Sequence, residues 1–302
     1  MTTLRLYLFL AAVSLLIAGC SDKNRYSTLQ RDLKAYADSC RAEVGIAVII
    51  DGKDTVAVNC DKQYPMMSVV KFPQALAVAN FAENRGILLD DSIDIYEGEI
   101  LSDTYSPMRE RYGTGALKLP LHELLAFSLQ QSDNNACDIL FRLIGGPSAT
   151  RHYLDSIGIN GVDIVATEAD MHADLDMCYQ NSADPLAMAG LLEIFSTAIG
   201  WQSPAMHTIF NLMTTCATGD DRLAAPLSAT NATIGHKTGT GDKNANGEII
   251  GLNDVGFVFL PNGHRYCIAV FIKDSKESQQ KTSAMIARIS EIVYQALTEP
   301  EN

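Results

Sequence analysis

Strand-forming sequence lies at the two ends of the chain with a long helical stretch between, and no other feature narrows the possible folds so far. Near the N-terminus, Val44 to Ile50 and Thr55 to Val58 are β-branched runs on either side of Asp51-Gly52-Lys53-Asp54, a hairpin signal. Toward the C-terminus, Thr233 to Lys237, Ile249 to Leu260 and Arg265 to Ile272 read as strands, with Pro261-Asn262-Gly263 as the turn between the last two. From Met67 to Ile199 helical spacing takes over: Ser68 to Arg85 ending at Gly86, Pro120 to Gln130, Asn135 to Leu143 ending at Gly145-Gly146, Pro147 to Ser156, and Asp184 to Ile199. Pro120 and Pro147 suit a first helical turn and the glycines suit C-terminal caps. Pro73 falls where backbone N–H groups are only beginning to find partners, so it should distort the helix mildly rather than break it. A helix opened by the capping box Ser27-Thr28-Leu29-Gln30, another over Pro204 to Thr215, and a last one over Ser278 to Leu297 complete the set.

Strands from opposite ends bury a common apolar face most simply by pairing in one sheet. The expected fold is therefore α+β: an antiparallel sheet flanked by terminal helices, with an inserted all-helical domain. The boundaries this implies are 27–66 plus 217–302 for the sheet-and-helix domain and 67–216 for the insertion. Within the insertion, residues 161–181 form a polar, irregular loop of a length that is usually functional or disordered. With 302 residues, 47% of them hydrophobic, the chain can bury a large core. Its net charge of −13 speaks against nucleic acid or anionic lipid head groups as partners.

The first residues read as a targeting segment. Arg5 precedes an apolar run from Leu6 to Ile17, shorter than the roughly 20 residues that span a bilayer. Ile17-Ala18-Gly19-Cys20 looks like the lipobox of bacterial lipoproteins. Residues 1–19 are then a signal peptide, Cys20 the lipidation site, 20–26 a tether, and the folded part an exported, membrane-anchored periplasmic protein, expected as a monomer. Cys40, Cys60, Cys137, Cys178, Cys216 and Cys267 remain; export permits disulfides among them, buried free thiols fit equally well, and spacing selects no pairing. No Cys/His grouping has zinc-ligand spacing, so no metal is expected.

The chemistry centres on Ser68-Val69-Val70-Lys71. A serine hydroxyl becomes a useful nucleophile when a neighbouring base takes its proton, and an amine three residues on shares its helix face. That pair alone is common by chance. It gains meaning from Ser132-Asp133-Asn134, Glu168 and Lys237-Thr238-Gly239, which follow in order. Together they resemble the signature of class A serine β-lactamases and penicillin-binding proteins. The resemblance covers nearly the whole mature chain and includes Tyr105-Ser106-Pro107, Ile144-Gly145-Gly146-Pro147, and Thr218-Gly219 followed by Arg222.

The resemblance implies an acylated nucleophile at Ser68, with Lys71 its partner in proton transfer. Ser132 would pass a proton to the leaving lactam nitrogen. Asn134 would hold the substrate side-chain amide, and Lys237 its carboxylate. Thr238 and Gly239 would form a strand edge close to the ligand. The N–H groups of Ser68 and Thr240 would make the oxyanion hole, and no cofactor is implied. Glu168 separates the two families: a lactamase needs a base to activate the deacylating water, which a DD-peptidase or penicillin sensor lacks. Asp170 is a nearby competitor for that role. A non-catalytic cell-wall-binding lipoprotein is the reading from another class. The departures point to a divergent branch typified by PER-type enzymes: His172 stands where most members have asparagine, either positioning the water or bracing the loop, and the usual arginine–aspartate pair of the loop reads Ala166 and Asn181. Lys237 to Asp242 and Asn253-Asp254 look most like CfxA-type cephalosporinases, tilting the expected substrate toward cephalosporins. Arg222 resembles a carboxylate-binding arginine of that branch, and Tyr105 a wall of the cleft mouth.

Overall fold

The structure, a computed structural model, describes residues 25–197 and 203–298. The leader, the Cys20 site, most of the tether and the last residues of the helix expected to end at Ile199 lie outside them. Residue 25 is already helical and α1 runs over 25–39, so Ser27 lies within the helix rather than at the cap its capping box implied.

Strands β1 (Glu43–Ile50) and β2 (Asp54–Val58) make the hairpin, turning where Asp51 and Gly52 take φ of 52° and 68°. Consecutive left-handed residues match the right-handed twist of a tight hairpin, and glycine adopts this conformation freely. With β8 (Thr233–Thr240), β9 (Ile249–Phe259) and β10 (Arg265–Ser275) they form a five-stranded antiparallel sheet in the order β2-β1-β10-β9-β8. The two ends of the chain thus join along β1 and β10, with Ala47 opposite Ala269.

Alternation along β10 divides the core. Tyr266, Ile268, Val270 and Ile272 face one way, packing with α1 and with α10 (Gln279–Thr298) through Leu29, Leu33, Ile286, Ile289 and Val293. Cys267, Ala269 and Phe271 face the other way, into the larger core built with the central helices. Successive strand residues point to opposite faces, so both sets are apolar only because both faces are covered.

The stretch between β2 and β8 is mainly helical: α2 (Lys71–Arg85), α3 (Pro107–Tyr112), α4 (Leu121–Gln130), α5 (Asn134–Ile144), α6 (Pro147–Ser156), α7 (Glu168–Ala173), α8 (Pro185–Ser196) and α9 (Pro204–Thr214). It also holds two ladders absent from the helical expectation, β4 (Ser92–Ile95) with β5 (Leu117–Pro120), and β3 (Tyr64–Pro65), β7 (Ser182–Ala183) and β6 (Val162–Asp163). Two- and four-residue strands are too short for a period-2 signal. Helix α2 is buried continuously from Lys71 to Ala79, as expected of a helix at the centre of its domain, and Pro73 leaves it unbroken.

Phe257 of β9 joins the sheet to this layer. Its ring stacks on Phe210 of α9 with centroids 4.8 Å apart and lies 5.9 Å from Phe195 of α8. Phe257→Ala should cost about 3–5 kcal/mol, lost transfer energy plus a cavity the sheet cannot close; the shift in urea midpoint at unchanged slope measures it.

Candidate active site

Ser68 stands on a 3-10 turn, Met67–Val70, that leads into α2. In such a turn residues i and i+3 eclipse, so the Lys71 amine returns to its own turn, 2.8 Å from Ser68 Oγ. Met67, just before the serine, has a left-handed φ of 49°, a strained state for a residue with a Cβ. Neighbouring elements impose it: Asn253 of β9 donates through Nδ2 to the carbonyls of Pro65 (2.8 Å) and Met66 (3.0 Å), and the Met66 N–H donates to the Asn181 carbonyl.

Lys71 has no exposed surface. Besides Ser68, its Nζ meets the Ser132 carbonyl at 2.8 Å, Asn134 Oδ1 at 2.7 Å and Glu168 Oε1 at 2.9 Å. The Glu168 carboxylate is also 3.4 Å from Ser68 Oγ. Ser132 has φ of 61° and precedes Asp133, whose carboxylate caps α5 at Ala136 N–H and accepts from Ser106 Oγ and Met108 N–H. The same carboxylate thus orients Ser132 and Asn134 and anchors the segment that displays Tyr105. Asn134 Nδ2 donates to Thr104 Oγ1.

Lys237, equally buried, donates through Nζ to Ser132 Oγ at 2.9 Å and to the Thr238 carbonyl at 2.8 Å. Burial, then the neighbouring Lys71 charge, brings its pKa down to about 7. At Gly239 an added Cβ would lie 2.5 Å from the Met66 carbonyl oxygen. Only glycine lets the end of β8 approach the Ser68 turn so closely. Arg222 is buried; Nη1 donates to the carbonyls of Gly239 (3.0 Å) and Asn253 (2.9 Å), and Nη2 to Thr240 Oγ1 (2.6 Å). It therefore grips the peptide group that carries the Thr240 N–H. Tyr105 is 56% exposed at the cleft mouth.

Glu168 opens α7, so the irregular loop expected over 161–181 carries a helix and a 3-10 turn, Leu175–Tyr179. The first amides of α7, Glu168 N–H and Ala169 N–H, donate to the two oxygens of Asp138 at 2.8 and 2.9 Å. Asp138 was not singled out from the sequence, yet it lies four residues beyond Asn134 on α5, on the same face, which is the signal that could have found it. Burial raises its pKa to about 6. Asp170, the competitor for the base role, is committed elsewhere: it accepts from Thr167 N–H and Thr167 Oγ1 in a capping box. His172 Nε2 lies 3.5 Å from Asp103 across the cleft mouth.

Where an arginine–aspartate pair was missing, a neutral clamp stands. Asn181, fully buried, accepts from Val165 N–H (2.8 Å) and Ala166 N–H (2.9 Å) and donates to the Ala166 carbonyl (2.8 Å).

These residues line a cleft of about 530 Å³ that includes Ser68, Ser132, Asn134, Glu168, Thr238 and Thr240. A serine flanked by a buried amine, a second serine on a second buried amine, and a carboxylate within reach of the first make up an acyl-transfer site of the serine-hydrolase class. Residues 28–297 match the family described as "Beta-lactamase enzyme family". A β-lactamase of Phocaeicola vulgatus is 37% identical over 90% of this chain and 85% of its own length. The extended-spectrum β-lactamase PER-1 of Pseudomonas aeruginosa is 33% identical over 88% of this chain and 86% of its own. The crystal structure of a class A β-lactamase from Bacteroides cellulosilyticus superimposes with a TM-score of 0.85 at 35% identity, covering 90% of this chain and 98% of that one. The chain belongs to the class A β-lactamase family. It is a hydrolase that opens the amide bond of β-lactams.

The clamp at Asn181 yields a measurable consequence. Asn181→Ala strands two buried backbone groups of Ala166 and the part-buried Val165 N–H, so it should lower stability by about 2–4 kcal/mol in chemical denaturation, at roughly 1–3 kcal/mol per unmatched buried group, and should speed proteolysis within residues 161–181 before the rest of the chain.

Proposed function

We propose that Ser68 is acylated by the lactam carbonyl and that Glu168 activates the water that hydrolyses the resulting ester. The observation that carries this reading is the position of Lys71 Nζ, 2.8 Å from Ser68 Oγ and 2.9 Å from Glu168 Oε1, which links nucleophile and carboxylate through one proton relay. In acylation Ser68 Oγ bonds to the lactam carbon while its proton passes through Lys71 toward Glu168. As the C–N bond breaks, Ser132 Oγ protonates the nitrogen, and Lys237, 2.9 Å away, supplies Ser132 in turn. Before deacylation Glu168 releases the acylation proton to solvent while Lys237 regains one; a water on the Glu168 side then gives its proton to that carboxylate and adds to the ester carbon, and Glu168 returns the proton to Ser68 Oγ as it leaves. The N–H groups of Ser68 and Thr240 receive the oxyanion. Asn134 holds the substrate's amide, and Lys237, Thr238 and Gly239 hold its carboxylate. Arg222 acts on that carboxylate side chiefly by fixing the Gly239–Thr240 peptide, which its three hydrogen bonds support. Tyr105 walls the mouth, and His172 braces it from the loop side through Asp103.

The approach of the sheet edge to the helical layer supports the division into 27–66 plus 217–302 and 67–216, with the cleft where they meet. Cephalosporins are the favoured substrates: the Lys237–Asp242 segment and the extended-spectrum name of PER-1 support this. Among the described residues no helix is long and apolar enough to cross a membrane. Attachment of an exported monomer by lipid at Cys20 rests on the Ile17–Cys20 sequence.

Intact-protein mass spectrometry with a cephalosporin tests the assignments. Glu168→Gln should accumulate one acyl adduct with turnover down about 1000-fold or more, and Ser68→Ala should form none; full-rate hydrolysis by Glu168→Gln would refute the base. The same spectra of membrane-extracted protein should carry a lipid mass on Cys20, and an unmodified Cys20 would refute the anchor.

Lys237 should set an alkaline limb. With its free-enzyme pKa near 7, the cation is present below that pH and lost above it, so kcat/KM for a carboxylate-bearing lactam should fall about tenfold per pH unit above the pKa. Lys237→Arg, whose guanidinium stays charged, should move the limb to higher pH. An identical limb in both proteins would exclude Lys237 as its source.

A further inference from the structure

The loop wall of the cleft is tied to the sheet at a point that none of these steps uses. Tyr179, the last residue of the 3-10 turn Leu175–Tyr179, is half-buried, and its hydroxyl donates to Asp274 Oδ1 of β10 at 2.6 Å. Asn244, in the turn between β8 and β9, brings its Nδ2 to 3.3 Å from Tyr179 Oη and 3.2 Å from Asp274 Oδ1. Its own Oδ1 accepts from the N–H groups of Asn246 (2.9 Å) and Glu248 (3.1 Å), so the same side chain also shapes that turn. Lys273 Nζ lies 5.9 Å from the centre of the Tyr179 ring, close enough for a cation to be drawn to the ring face. Three segments distant in sequence thus meet at one hydroxyl.

The backbone is strained at this point. The β9–β10 ladder pairs Lys273 with Gly251 and Ser275 with Ile249, and between them Asp274 takes a left-handed φ of 51°. Aspartate enters that region more readily than most residues with a Cβ, yet the state persists only where the surroundings hold it. Burial, and then the hydrogen bond to Asp274, pushes the Tyr179 hydroxyl up to about 12, so it remains a donor at neutral pH. The Glu168 end of the loop is fixed by other groups, Asp138 at the first amides of α7 and Asn181 at Val165 and Ala166. Tyr179 governs the later part, whose Leu175 and Cys178 line the cleft together with Gly241 and Asp242 beyond β8. Cys178 also packs with Met67, Met171 and Ile250 in a small apolar cluster against which Tyr179 rests, so the wall has a base to close upon.

We propose that Tyr179 and Asp274 form a latch that holds the Leu175–Tyr179 wall ready for the substituent on the lactam's amide, and that the latch thereby sets preference among lactams by the size of that substituent. The proposal rests on the reading above, in which Asn134 holds that amide and Lys237, Thr238 and Gly239 hold the carboxylate. Those contacts leave the part of the cleft lined by Leu175, Cys178, Gly241 and Asp242 for the substituent. A wall already in position requires no ordering when the ligand arrives. A wall that the ligand must order weakens binding of every lactam that touches it and of none that does not. Tyr179 acts through the wall rather than on the reacting groups, so it is a positioning residue whose loss falls on KM and spares kcat.

The test compares the full-length protein with Tyr179→Phe, which keeps the ring and removes the hydroxyl. Two substrates are used: cefotaxime, whose amide carries a bulky oxyimino group, and 7-acetamidocephalosporanic acid, whose amide carries a methyl. For cefotaxime KM should rise at least about fivefold with kcat within about twofold of wild type, while both constants for the acetamido compound stay within about twofold. Hydrogen exchange followed by mass spectrometry should show the amides of residues 174–180 exchanging at least about fivefold faster, with residues 165–170 unchanged. Asp274→Gly, which accepts the left-handed backbone, should reproduce Tyr179→Phe, and the double variant should be no worse than either alone. Asp274→Asn, which keeps an acceptor oxygen, should restore the wild-type pattern. Unchanged exchange at 174–180 overturns the latch. Faster exchange with equal losses on the two substrates, or a fall in kcat that exceeds the rise in KM, overturns its role in specificity. An acyl adduct on Ser68→Ala would sink the assignment of the lactam site yet leave the exchange result standing, so the two failures are distinguishable.

Discussion

Two amines without exposed surface, Lys71 and Lys237, impose the arrangement of everything around the cleft. An ammonium group taken out of water costs several kcal/mol unless acceptors surround it. Lys71 finds them at Ser68, at the Ser132 carbonyl, at Asn134 and at Glu168, so the Ser68 turn, the start of α5 and the start of α7 must all converge on one nitrogen. Lys237 reaches Ser132 from the sheet. The sheet edge and the helical layer are thereby locked across the cleft by the groups that would carry out its chemistry. Burial, and after it the proximity of the two cations, brings Lys237 into the range of neutral pH.

The loop that delivers Glu168 is held without an ion pair. Asn181 binds the backbone at Val165 and Ala166, and Asp138 binds the first amides of α7. Both fix main chain rather than side chain, and so hold the backbone from which the Glu168 carboxylate reaches Lys71. Asp170, by capping α7 through Thr167, contributes to the same end.

Beside the cleft the same physical problem recurs in a different form. The Asp254 carboxyl group is fully buried, and the protein answers with the His236 imidazole and the Leu223 N–H. One strand, β8, therefore presents His236 to Asp254 and Lys237 to Ser132 in successive residues, because neighbouring strand positions point to opposite faces.

The sequence by itself determined the sheet strands, the helices of the middle segment and the candidate-site motifs in their order, because each rests on local periodicity or on residues a few positions apart. Ser68 and Lys71 were legible as a pair since one turn joins them. Short ladders such as β4 with β5 were not, being stabilised by their partners rather than by any pattern of their own. Ser27 marked the wrong helix boundary for a related reason: a capping signal is a local preference, and the helix extends through it. Only the tertiary structure decided which carboxylate meets Ser68, that Arg222 grips the β8 peptide, and that Asp138 and Asn181 hold the main chain of the loop. Those outcomes depend on contacts between residues far apart in the chain, whose energies exist only after the core has closed around them.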